Sequence, residues 1–99
     1  MSAMYLRGGI PRLMKGTAHT TQWDRHEVPD GVCNSLVFKN SGGNPIMIAL
    51  SKEDADLGVG YTVANGTTIG PWPAETGAIW TKSTGGDSAW EALAFVRRG

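Results

Sequence analysis

No apolar run in this chain is longer than five residues, as in IMIAL at 46–50, and glycine, proline, asparagine or serine soon follows each one. Fourteen glycines and five prolines are spread through 99 residues. Inside a helix each glycine costs about 1 kcal/mol and each proline about 3 kcal/mol relative to alanine, so long helices are excluded. Short strands joined by turns are what remains. The stretch 35–51, SLVFKNSGGNPIMIALS, shows the pattern best. Two runs of strand length, 35–39 and 45–50, flank Asn40-Ser41-Gly42-Gly43-Asn44. Both glycines can take positive φ without a Cβ clash, which predicts a β-hairpin with a five-residue loop. Pro45 lacks an N–H and suits the first position of the second strand.

The rest of the chain follows the same rhythm. Residues 17–23 (TAHTTQW) are β-prone, with Ala18, Thr20 and Gln22 on one face. Residues 24–34 form a polar loop in which Pro29-Asp30-Gly31 supplies a turn. Ser51-Lys52-Glu53-Asp54 has capping-box character and predicts one helical turn that ends at Gly58. Residues 59–63 and 67–69 read as strands about an Asn65-Gly66 type I′ turn, and 70–73 (GPWP) reads as rigid loop. Residues 78–82 and 89–96 read as strands joined through 83–88; the last has some helical spacing, but its alternation and the hairpin-like loop before it favour strand. The expected fold is a small antiparallel β-sandwich or barrel of six to seven strands.

Residues 1–16 stand apart from 17–99. Met4, Tyr5, Leu6, Ile10, Leu13 and Met14 are apolar, but Gly8-Gly9 and Pro11 deny them a helix. One reading is an extended intermolecular arm, with Arg7, Arg12 and Lys15 at its rim, that adds a strand to a neighbour's sheet edge. The other is the first strand of the sheet. On the arm reading the partner-binding residues are Met4, Tyr5, Leu6, Arg7, Ile10, Arg12, Leu13 and Met14.

Chemistry is sparse. Formal net charge is zero, which removes the bulk electrostatic argument for nucleic acid. No apolar run approaches a membrane span. His19, His26 and Cys33 are seven apart, without the close ligand pairs that zinc sites use, so no metal is expected. A single cysteine near two histidines lacks an orienting third group, and Cys33 reads as a small buried hydrophobe. Gly42-Gly43 and Gly85-Gly86 are not followed by the Lys-Ser/Thr and helix of a phosphate loop. The expectation is no enzyme and no cofactor. Among Trp23, Trp72, Trp80 and Trp90, the strand residues Trp80 and Trp90 suit the core. Trp72, between two prolines, suits a core or an interface equally.

The order of SLVFKNSGGNPIMIALS, the GTTIGP segment ending at Pro71, and AIWTKSTGGDSAWEALAFVRR resembles small β-sandwich virion proteins of tailed bacteriophages. That resemblance spans residues 35–98. It implies a structural protein made in the host cytoplasm and located in the virion, a homo-oligomer that binds capsid or other virion proteins. Capsid decoration or cement is the first role it implies, with a neck or tail subunit as the alternative. A carbohydrate- or receptor-binding module that presents Trp72 to a glycan is the reading from a different class.

Overall fold

The computed structural model describes residues 10–96. These form β1 (Ile10–Ala18), β2 (Asp24–Glu27), β3 (Cys33–Asn40), β4 (Ile46–Ala49), the helix α1 (Lys52–Asp56), β5 (Tyr61–Val63), β6 (Thr68–Trp72), β7 (Ala78–Ser83) and β8 (Ser88–Val96). Two antiparallel sheets of four strands, ordered β1-β8-β3-β6 and β2-β7-β4-β5, pack as a β-sandwich. The all-β class is as expected, with eight strands where six or seven were predicted.

The pleat of β8 organises the core. Ser88, Trp90, Ala92, Ala94 and Val96 point inward and are buried, while the residues between them face out. Trp90, 2% exposed, stacks on Phe38 at 5.4 Å and takes the edge of His26 at 4.7 Å. Ala92 lies between Met14 and Phe38, so a small side chain in the central strand makes room for large ones on either side.

Pairing differs from prediction at every expected hairpin. β3 and β4 are consecutive, yet they lie in opposite sheets, as do β5 and β6, and β7 and β8. Each connection is an arch from one layer to the other. Asn40 holds the first arch. Its buried side chain donates to Asn44 O (2.7 Å) and Val63 O (2.9 Å) and accepts from the Gly42 N–H (3.1 Å) and Ser88 Oγ (2.9 Å). Gly42 is required here for space rather than for φ, because a Cβ would sit 2.5 Å from the Ala89 nitrogen. The turn at 64–67 is not type I′, which needs positive φ at both central residues; of the two only Gly66 has it (φ 77°).

Four further expectations are corrected. Residues 10–16 belong to β1, paired with β8 from Ile10↔Val96 onward, so the boundary expected at residue 16 falls inside a strand. Gly16 packs under the Trp90 ring, where an added Cβ would lie 3.0 Å from Cζ2. The strand expected over 17–23 ends at Ala18, and β2 occupies Asp24–Glu27, where loop was expected. The GPW segment is not loop but part of β6, an edge strand where proline is tolerated. Gly70 and Pro71 together oppose Val37, forming a β-bulge between the pairs Phe38↔Ile69 and Leu36↔Trp72. The predicted helical turn is α1, with the Ser51 hydroxyl accepting from the Asp54 N–H at 3.1 Å and Gly58 following at φ 72°.

Candidate functional site

Period-two alternation decides which of the expected partner-binding residues can reach a partner. Met14 points inward and is 7% exposed, and Arg12, half-buried, is committed to Asp30 at 2.6 Å. Ile10 shares their inward side. Leu13 points the other way and is 69% exposed. Met14 is therefore part of the core, Ile10 is half-buried, the Arg12 side chain stays 42% exposed beside Asp30, and of the β1 set only Leu13 presents a bare apolar side chain to solvent. Met4, Tyr5, Leu6 and Arg7 lie outside the described residues. Trp72 sits on β6, at the opposite edge of the sheet from β1, so the expected residues do not form one patch.

Register places other side chains beside Leu13. It pairs with Leu93, which pairs in turn with Val37, opposite the Gly70–Pro71 bulge. The next row runs from Pro11 to Phe95 to Ser35, and the row on the other side from Lys15 to Glu91 to Lys39. The outer face of the β1-β8-β3-β6 sheet thus carries an apolar band bordered by a row of alternating charge. β1 is also an edge strand of nine residues. Unpaired edge backbone of this kind can add a strand from another chain. Leu93, Phe95 and Val37 were missed because the alternation of 89–96 was used to assign a strand but not to ask what its outer face carries.

A second feature lies on the β5–β6 side, where the two sheets open. Tyr61 and Trp72, one from each sheet, meet with ring centroids 5.3 Å apart and planes at 89°. Beside them is a cleft of about 380 Å³ lined by Ile48, Leu50, Asp54, Val59, Tyr61 and Trp72, among others. Trp72 is half-buried and packs against the core on one side, while Tyr61 is 57% exposed. Of the two roles weighed for Trp72, the core contact is present in the fold.

Of the titratable residues near the interior, His19, Asp24 and His26 lie together, with His19 Nε2 4.0 Å from Asp24 Oδ2, while Cys33 lies apart from them. His26 Nε2 lies 3.1 Å from Thr81 Oγ1, and burial pushes its pKa below the ordinary histidine value, against the nearby Asp24 carboxylate, which raises it; His19 lowers it further. His19 Nδ1 is 3.3 Å from Asp87 Oδ2. Cys33 is fully buried on the other sheet, its thiol donating to Ala74 O at 3.4 Å. Among the described residues no group of three or more His, Cys, Asp or Glu is placed to hold a metal ion, and no helix is long and apolar enough to cross a membrane. Comparison with protein-family models, curated proteins and solved structures gives no match to this chain.

Proposed function

We propose that this chain is a structural virion protein of the tailed-bacteriophage kind. In this reading it binds the capsid surface as a decoration or cement subunit, or a neck or tail part by the same face. The observation that carries it is the in-register apolar band Leu13–Leu93–Val37, with Pro11 and Phe95 beside it, on the outer face of a sheet whose edge strand β1 pairs only with β8 among the described residues. Leu13 is 69% exposed while Val37, Leu93 and Phe95 are half-buried, so each would contribute part of the about 1.5–3 kcal/mol of a full burial, and several act together to anchor a subunit. The charged row of Lys15, Glu91 and Lys39 supplies a rim that sets register more than affinity. A glycan platform fits less well, since Trp72 is half-buried and meets Tyr61 edge to face.

The test is to purify phage particles that encode the chain, quantify it by mass spectrometry, and locate it by cryo-electron microscopy. The chain is expected at fixed stoichiometry, with this face against its neighbour. Leu13→Lys with Leu93→Thr, which places no like charges opposite each other, should abolish incorporation while circular dichroism and melting of the free domain stay near wild type. Absence from particles, or full incorporation of the double variant, overturns the proposal.

A further inference from the structure

We propose that the cleft between β5 and β6 receives a lysine side chain presented by a partner protein. This rests on the reading of the chain as a binding subunit, but it uses a surface separate from the apolar band. Tyr61 and Trp72 stand at 89°, forming an aromatic corner beside the cleft. The π faces of such rings attract a cation even at an exposed site, and Tyr61 is 57% exposed. Ile48, Leu50 and Val59 give the remaining lining an apolar character suited to a methylene stem. A volume of about 380 Å³ lies near the lower end of the roughly 300–1,000 Å³ typical of ligand sites, which suits one inserted side chain.

Charge selects the cation. Asp54 is the one ionisable acid or base of the lining other than the Tyr61 phenol. It belongs to α1, whose sequence KEDAD has three acids against one lysine. Lys52 is already paired with Asp56 at 2.7 Å, and among the described residues neither Glu53 nor Asp54 forms an ion pair. The occupant that fits has an apolar stem and a positive head. Lysine meets that description with a compact ammonium. Arginine can also stack on the rings and take one carboxylate bidentately, but lysine's four-carbon stem is the longer match to a lining of Ile48, Leu50 and Val59.

The probes are Nα-acetyl-lysine methylamide, its norleucine counterpart as the neutral control, and the arginine counterpart. Each is titrated into the full-length ¹⁵N-labelled chain while the Trp72 indole N–H and the Gly60 and Tyr61 amides are followed. Lysine should give saturable shifts, with norleucine binding about two- to fivefold more weakly, as loss of a cation–π contact at an exposed site implies. Asp54→Asn and Tyr61→Leu should each weaken lysine binding about threefold or more, and added salt should weaken it in the wild type. Neither variant removes a side chain from the core. Equal binding of norleucine shows a merely apolar groove and overturns the proposal, as do tighter binding of arginine, no saturable shift with lysine, or indifference to both variants. Particle incorporation is not part of this measurement, so the lysine site and the virion role fail or stand separately.

Discussion

Asn40 is the most exacting test of how the two layers are held together. Its carboxamide makes four hydrogen bonds in a site closed to solvent, and they reach the 41–44 arch, β5 and β8. A neutral buried hydrogen bond contributes about 1 kcal/mol net, so Asn40→Ala should lower stability by about 4 kcal/mol. A domain of this size has roughly 5–15 kcal/mol in all, which makes the loss severe but measurable. Asn40→Asp keeps the shape and replaces the NH₂ donor by an oxygen facing the carbonyls of Asn44 and Val63. Buried among acceptors, the new carboxyl has a folded-state pKa above its unfolded value of about 3.9. The unfolded form then loses its proton first, so the variant weakens relative to wild type as pH rises from about 4 and stops weakening above the folded pKa. Urea unfolding at several pH values, followed by tryptophan fluorescence with unchanged m value, measures both effects. A loss below about 1 kcal/mol for Asn40→Ala, or an Asn40→Asp profile parallel to wild type, would refute the assignment of Asn40 as the tie.

Three other outcomes are expected. Gly70→Ala should destabilise by about 2 kcal/mol or more, seen as a lowered melting temperature, because φ is 107° and the new Cβ would lie 2.6 Å from Leu36 O. For His26, whose folded pKa is lowered by burial, the unfolded chain takes up the proton first; stability should fall as pH drops below about 6.5, and the wild-type-minus-His26→Gln difference across that range isolates the effect. Ser51→Ala should cost about 1 kcal/mol and speed hydrogen exchange at the Asp54 amide, which the Ser51 hydroxyl accepts from.

Strand positions were largely legible because β3, β4, β7 and β8 are short apolar runs with glycine-bearing boundaries. Their partners were not. A loop such as 40–44 looks the same in composition whether the next strand returns beside the first or crosses to the facing sheet. The deciding contacts, Asn40 to Val63 and Ser88, come from residues remote in sequence. β1 was ambiguous for a related reason: an edge strand with Leu13 outward has the composition of an arm, and its partner β8 lies at the other end of the chain. β2 was hidden because DRHE is polar, with Asp24 and His26 turned inward where alternation alone suggests solvent. Of the candidate surfaces, Trp72 was visible from its prolines, whereas the band through Leu93 and Val37 exists only once register is known.

The pairing of Ile10 with Val96 sets how this unit bears load. The described chain enters and leaves at neighbouring points, on the same end of two antiparallel strands. Tension between those points opens the β1–β8 ladder from one end, breaking its nine rungs in turn from Ile10↔Val96 to Ala18↔Ser88. Such unzipping resists far less force than shearing all rungs together. A pull on both ends would therefore peel β1 away from Ile10 inward, stripping the sheet of the strand that carries Leu13. Load taken through the outer face instead falls on β8 and β3, each held by a neighbour on both sides. The sandwich is mechanically sound when gripped by its face and weak when strung by its ends.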